Sequence, residues 1–206
     1  MLTGKKIVLG VSGGIAAYKM ANVASMLSKL HADIHVVMTE NATHFITPET
    51  FEVLTGNHCY TDTFDRCMEL HVPHIALGTQ ADAILIAPAS ADVVGKIANG
   101  IADDMLTTCV LPATCPVMLA PSMNVHMYEN PIVQDNMKKL VSYGYEIIEA
   151  DEGYLACRDI GKGKLPPEHV LVDYIIRACA MDKDLAGKKV LVTAGATQES
   201  IDPVRY

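Results

Sequence analysis

Short, uninterrupted apolar runs, separated by stretches with helical periodicity, constrain the fold of this chain more than any other feature. Lys6-Ile7-Val8-Leu9-Gly10-Val11, Asp33-Ile34-His35-Val36-Val37-Met38 and Asp82-Ala83-Ile84-Leu85-Ile86-Ala87 all have the length of a strand, and the last is apolar on both faces. A strand can be apolar on both faces only where both are covered, as in a parallel sheet with helices above and below it. Pro116-Val117-Met118-Leu119-Ala120 and Tyr145-Glu146-Ile147-Ile148 complete a set of five. Between the strands, one helix presents Met20, Val23, Leu27 and Leu30 on one face. Others are expected near 91–99, 103–111 and 130–143, the last with Val133, Met137 and Leu140 in register. Strands alternating with helices specify an α/β fold: a doubly wound parallel sheet with helices on both faces and right-handed crossovers.

With 206 residues the chain can hold one sizeable domain. Trp is absent and Phe numbers only 3, so the core must be packed by Val, Ile, Leu, Ala and the 11 Met. The formal charge of −8 argues against nucleic acid or an anionic membrane as the main partner. No signal-peptide pattern or membrane-length apolar run occurs, so the cytoplasm is the expected location. Cys59, Cys67, Cys109, Cys115, Cys157 and Cys179 include no C-x-x-C pair. They read as free thiols, mostly core filler, and no metal site is expected.

Three connections carry polar or small residues where a ligand would lie. Ser12-Gly13-Gly14 follows the first strand, where free N–H groups and a helix dipole favour an anion. Its spacing matches neither G-x-G-x-x-G nor a GK[ST] phosphate loop. Pro88-Ala89-Ser90-Ala91 follows the third buried strand, and Ser90 there can equally be a helix cap. Pro121-Ser122-Met123-Asn124-Val125-His126-Met127-Tyr128 follows another, bringing Asn124 past the carboxyl end of the sheet, where ligands of open α/β sheets gather. An Asn amide both donates and accepts there, as a ligand hook or as a helix N-cap. The polar, Gly-rich segment 151–166, centred on Cys157, reads as a long loop acting as a lid. Pro166-Pro167 closes it before a helix with Val172, Ile175, Ile176 and Cys179. Beyond that, Lys188-Lys189-Val190-Leu191-Val192-Thr193-Ala194-Gly195-Ala196 repeats the pattern of the N-terminus: a basic pair, an apolar strand, a small-residue turn. It suggests the opening of a second domain, with a strand pairing to a neighbour as the other reading.

Together these segments resemble the FMN-dependent cysteine decarboxylases, most closely the decarboxylase halves of bacterial bifunctional phosphopantothenoylcysteine decarboxylase / phosphopantothenate–cysteine ligases of coenzyme A biosynthesis. The resemblance rests on Val11-Ser12-Gly13-Gly14-Ile15-Ala16-Ala17-Tyr18-Lys19, His74-Ile75-Ala76-Leu77, Ala87-Pro88-Ala89-Ser90-Ala91, the Met123-Asn124 segment and Ala156-Cys157. It implies a flavodoxin-like (Rossmann-type) sheet and division into a decarboxylase domain over 1–184 and the truncated start of a ligase domain over 185–206. For FMN it implies contacts from Ser12, Gly13, Gly14, Ile15, Thr39, Pro88, Ala89, Ser90, Ala91, Thr107 and Ser122. Asn124, Met127 and Ala156 would hold the substrate. His74 would assist oxidation of the substrate thiol, with His71 a competitor outside the match, and Cys157 would protonate the enethiolate. The family builds its flavin site at a subunit contact within a trimer, so a homo-oligomer is expected. A ligase half would use CTP and Mg2+.

The implied reaction turns phosphopantothenoylcysteine into 4′-phosphopantetheine. A cysteine carboxylate cannot simply lose CO₂, because the carbanion left behind has no electron sink. Transient oxidation of the thiol to a thioaldehyde provides one; decarboxylation then gives an enethiolate, and protonation with re-reduction completes the cycle, the flavin doing the difficult redox step. An unperturbed thiol, with a pKa of about 8.5, keeps its proton at neutral pH and can act as the acid. Three positions depart from the family pattern: Asp92 stands where Asn is common, Ser122 where Ala is usual, and Arg158 where glycine follows the cysteine. An arginine would strain a left-handed backbone at 158. Three alternatives fit the fold: a peptidyl-cysteine decarboxylase, a non-catalytic flavin-binding regulatory subunit, and a flavodoxin-type electron carrier. The ligase-like C-terminal segment speaks against the first. His74, Asn124 and Cys157 together speak against the second, and the last would need neither the Asn124 hook nor the Cys157 lid.

Overall fold

The computed structural model describes residues 1–64, 72–180 and 187–195. His71, Cys67 and the segments 181–186 and 196–206 lie outside the described residues. In chain order the first half contains β1 (Lys6–Val11), α1 (Lys19–Lys29), β2 (Asp33–Met38), α2 (Glu40–Thr43), α3 (Pro48–Thr55), β3 (Cys59–Tyr60), α4 (Pro73–Gln80) and β4 (Ala83–Ala89). It continues with α5 (Ala91–Ala98), α6 (Met105–Val110), β5 (Val117–Pro121), α7 (Val125–Tyr128), α8 (Pro131–Ser142) and β6 (Glu146–Ile147). A hairpin of β7 (Asp151–Tyr154) and β8 (Ile160–Lys164) leads into α9 (Glu168–Cys179).

Six strands form one parallel sheet in the order β3-β2-β1-β4-β5-β6. The five expected strands are all present, in the doubly wound order 2-1-3-4-5 when counted alone, the flavodoxin-like arrangement. β3 is an addition: two residues paired with Val36 and Val37 at the sheet edge. Alternation along the central strands divides the core in two. Ile7, Leu9 and Val11 of β1, with Leu85 of β4, face Met20, Val23 and Leu27 of α1 and Leu171 and Ile175 of α9. Val8, Ile84 and Ile86 face the opposite way, against Leu77, Val93, Leu106 and Leu140 of the other helical layer. Every residue of β4 is buried, as its apolar run requires. At the amino end of the sheet the Asp82 carboxylate accepts from the Lys6 N–H (2.8 Å) and the Lys5 ammonium (3.0 Å), tying the starts of β1 and β4 together.

Two expectations are corrected. Segment 151–166 is an antiparallel hairpin with a short tip, its backbone groups satisfied by Glu152 opposite Lys162 and Tyr154 opposite Ile160. The strand expected near 190 does not form. Residues 187–195 carry no helix or strand, Val190, Leu191 and Val192 are exposed, and no described strand pairs with them. An apolar run becomes a strand only beside a neighbour that completes its ladder. Among the described residues, no helix is long and apolar enough to cross a membrane.

Candidate active site

The strand order reverses between β1 and β4, and a cleft of about 490 Å³ opens at the carboxyl end of the sheet there. One wall is the β1–α1 turn. Gly13 is needed there because a Cβ would come within 2.5 Å of Asn41 Cβ and 3.0 Å of its carbonyl carbon in α2. Gly14, with an extended φ of −172°, has only Pro88 Cγ nearby, at 3.8 Å, and faces the cleft. Ser12 lies behind this wall, fully buried. Its hydroxyl donates to the Pro88 carbonyl (2.6 Å) and accepts the Ser90 N–H (2.8 Å), joining the ends of β1 and β4. The Ala87–Pro88 peptide in that corner is cis. Ser90 also caps α5, accepting from the Val93 N–H, and with Ala91 lines the cleft.

The opposite wall is built from the segment after β5 and the hairpin. Asn124 caps α7, its Oδ1 accepting from the His126 N–H at 2.8 Å. Its Nδ2 points to the hairpin tip, 3.1 Å from Cys157 Sγ and 2.8 Å from Asp159 Oδ2. The Cys157 thiol in turn donates to Asp159 at 3.3 Å. The hairpin is held against this segment at close range: the Met123 N–H donates to the Gly163 carbonyl (3.0 Å). A Cβ on Gly163 would sit 2.3 Å from Met123 O, and one on Gly161 would sit 2.6 Å from Val125 Cγ2. At the tip, Arg158 adopts φ 71°, the left-handed region that its position was expected to strain.

Of the expected site residues, Gly13, Gly14, Ile15, Ser90, Ala91, Ser122, Asn124, Met127, Ala156 and Cys157 line this one cleft. Ser12, Pro88 and Ala89 are buried behind it. The Thr107 hydroxyl donates to Asp104 Oδ1 (2.9 Å) in the capping box that starts α6, and the side chain is buried. Thr39 Oγ1 is buried without a partner among the described residues, while its N–H donates to Val11 at the end of β1. His74 sits in the first turn of α4, outside the cleft lining, with its Nδ1 buried and unpartnered among the described residues. Asp92 turns away to Lys96 (3.5 Å); that ammonium, gripped by Asp103 (2.9 Å) and Asp104 (3.1 Å), is held above the usual lysine range. Asp159 was missed, because its partner Asn124 lies 35 residues away in sequence. Lys19 and Lys164 also line the cleft; the motif around Lys19 was visible, its cleft-facing position was not. A second hollow, about 680 Å³, between α8 and β8 contains none of the expected residues.

The donor set suits a flat cofactor with an anionic end. Small residues on two strand-to-helix turns leave space, N–H groups gather at the carboxyl ends of the strands, and the orphaned Thr39 hydroxyl lies on the same rim. Among the described residues no cluster of three or more metal-binding side chains occurs.

Residues 1–180 match the family model described as Flavoprotein, and 185–206 match that of the DNA/pantothenate metabolism flavoprotein C-terminal domain. Over its full length the chain is 48% identical to the coenzyme A biosynthesis bifunctional protein CoaBC of Bacillus subtilis (strain 168), covering 51% of that protein. It thus spans about half the length of the curated relatives it matches. Among solved structures, a mutant PPC decarboxylase complexed with pantothenoylaminoethenethiol superposes with a TM-score of 0.76 at 29% identity, covering 83% of this chain and 96% of that one. The FMN-dependent cysteine decarboxylase SpaF gives a TM-score of 0.72 at 34% identity, covering 85% and 99%.

Proposed function

This chain belongs to the Flavoprotein family, and from that premise we propose that it binds FMN and decarboxylates 4′-phosphopantothenoylcysteine to 4′-phosphopantetheine in coenzyme A biosynthesis. One observation carries the reading: Asn124 and Cys157, distant in sequence, meet at 3.1 Å over a cleft whose far wall is the Gly13-Gly14 turn.

Gly13, Gly14, Ile15, Ser90, Ala91 and Ser122 would wall the flavin, with Thr39 adding a donor for its phosphate. Ser12 acts indirectly, by fixing Pro88 and Ser90. When bound, FMN supplies reversible hydride acceptance, the electron sink that a cysteine carboxylate lacks. Asn124 orients the substrate through its amide, donating to the carboxylate. Met127 and Ala156 bound the substrate on either side, and the Cys157 thiol delivers a proton to carbon after CO₂ leaves.

His74 assists thiol oxidation in this reading, yet it lies outside the cleft of its own chain. A trimer in which a neighbouring subunit presents α4 to the cleft accommodates both facts. Exposed Val72 and Ile75 flank His74, and exposed Ile15 and Tyr18 flank the cleft, so apolar surface is available for such a contact. The match of 185–206 to the C-terminal domain model supports a second domain beginning at 185 and following a decarboxylase domain over 1–184, and with it a phosphopantothenate–cysteine ligase activity, using CTP and Mg2+, in the whole protein. The setting would be the cytoplasm.

The FMN-loaded protein, incubated with 4′-phosphopantothenoylcysteine, is expected to release CO₂ and 4′-phosphopantetheine. A peptide ending in cysteine, the substrate class of the peptidyl-cysteine alternative, is the competitor substrate. Turnover of the peptide alone would favour the peptidyl-cysteine reading, and turnover of neither would refute decarboxylation.

A further inference from the structure

The hairpin tip carries a carboxylate to which the proposed reaction gives no role. Asn124 Nδ2 has two hydrogens and two partners, Asp159 Oδ2 at 2.8 Å and Cys157 Sγ at 3.1 Å. Its Oδ1 is taken by the His126 N–H. The thiol donates to the same Asp159 oxygen, closing a triangle of three groups. An amide with both hydrogens engaged inside the protein has none free for an incoming carboxylate. A carboxylate ligand reaches Asn124 only by displacing a partner, and Asp159 is the partner of like charge and like shape. Two carboxylates crowded onto one amide repel each other, so the ligand and Asp159 exclude one another.

We infer that Asp159 is a positioning residue that stands in for the substrate carboxylate at Asn124, so that a carboxylate-bearing ligand must displace it and a decarboxylated one need not. The inference rests on the proposed function, in which Asn124 receives that carboxylate. Its mechanical basis is the half-buried place of Asp159 on a tip whose base is fixed: the tip can shift while the Met123–Gly163 contact stays made. Substrate and product then make different demands on the site. Substrate enters as Asp159 leaves. Once CO₂ has gone, nothing competes for the amide, and the triangle re-forms with Cys157 and Asn124 again in register. Asp159 thereby weakens binding of a carboxylate-bearing ligand and leaves that of a decarboxylated one unchanged.

The test uses two inert ligands that differ only in the carboxylate. 4′-Phosphopantothenoyl-alanine keeps it and has no thiol to oxidise; the N-ethyl amide of 4′-phosphopantothenate lacks both. Calorimetric binding of each to FMN-loaded wild type and Asp159→Ala gives four affinities. Asp159→Ala should bind the alanine ligand about tenfold tighter, the worth of a charge-assisted hydrogen bond no longer offset by one lost, and the N-ethyl amide within about twofold of wild type. A merely structural Asp159 would weaken both ligands alike, and that result overturns the inference, as does an unchanged alanine ligand. Asp159→Asn keeps the shape of the tip and removes the charge; should Asp159→Ala lose the hairpin, Asp159→Asn must still tighten the alanine ligand alone, by a smaller factor. Wild type that turns over substrate while neither variant gains carboxylate selectivity overturns this inference only. Wild type that binds neither ligand and releases no CO₂ overturns the proposed function itself.

Discussion

Replacing Arg158 with glycine should tighten the hairpin tip. Arg158 holds φ 71°, and its N–H donates to the Leu155 carbonyl at 2.9 Å, while the Leu155 N–H donates to Asp159 O at 2.9 Å. The turn is therefore stitched by its own backbone. The arginine side chain is exposed and makes no hydrogen bond or ion pair among the described residues, so removing it forfeits no polar contact. A left-handed conformation costs a residue with a Cβ about 1–2 kcal/mol. Glycine avoids that cost but loses more conformational freedom on ordering, by about 0.5–1 kcal/mol. The difference leaves Arg158→Gly with a gain of about 0.5–1 kcal/mol, or roughly a two- to fivefold shift towards the closed tip. Global denaturation is a poor probe, since the tip can open without unfolding the sheet. Native-state hydrogen exchange at the Leu155 amide reads the tip directly, and its protection should rise by that two- to fivefold factor. Unchanged or reduced protection would refute the strain argument and leave arginine an ordinary occupant of the turn.

Four further outcomes follow from the structure. Gly14→Asp should fold normally, because Pro88 Cγ is its nearest neighbour at 3.8 Å, yet lose the flavin absorbance band; Gly13→Ala, forced onto Asn41, should cost about 1–3 kcal/mol in thermal or denaturant unfolding. Ser12→Ala leaves the half-buried Ser90 N–H without its acceptor and should cost about 1 kcal/mol by the same measurement, with weaker flavin retention. Burial pushes the Cys59 and Cys109 thiols up to about 12, with Glu52 adding to the effect at Cys59, so a disulfide reagent near pH 8 should label exposed Cys157 in the native protein and reach those two only after unfolding. Rapid native labelling of Cys109 would contradict the core described above.

Local pattern made some of this structure legible and not the rest. β1 and β2 begin and end where their apolar runs do, and β4 extends its run by two residues through Pro88 to Ala89. The helices over 91–98 and 131–142 follow from periodicity and from Ser90 and Pro131 at their starts. β3 was not legible because its two residues form a strand only through pairing with Val36 and Val37. The hairpin escaped for a similar reason: a glycine-rich, polar stretch has no alternation, and its strands are defined by cross-strand hydrogen bonds and by the close approach of β8 to Met123. Within the site, residues on strand-to-helix turns were readable because the topology aims every such turn at one rim. Asp159 was not, since nothing nearby in sequence indicates that it faces Asn124. Of the two readings of Asn124, the cap is seen directly, Oδ1 capping α7, while Nδ2 reaches the hairpin tip.

The Met123–Gly163 clasp makes the hairpin a cantilever. With β8 bolted at its base and glycines at 161 and 163 allowing the close fit, bending is confined to the free end, Leu155–Asp159. Ordering a residue costs about 1–2 kcal/mol, so a cover that had to assemble all of 151–164 around each substrate would forfeit on the order of 10 kcal/mol more binding energy than one that sets only its end. That saving leaves the affinity of the cleft available for holding the reacting carbon in place.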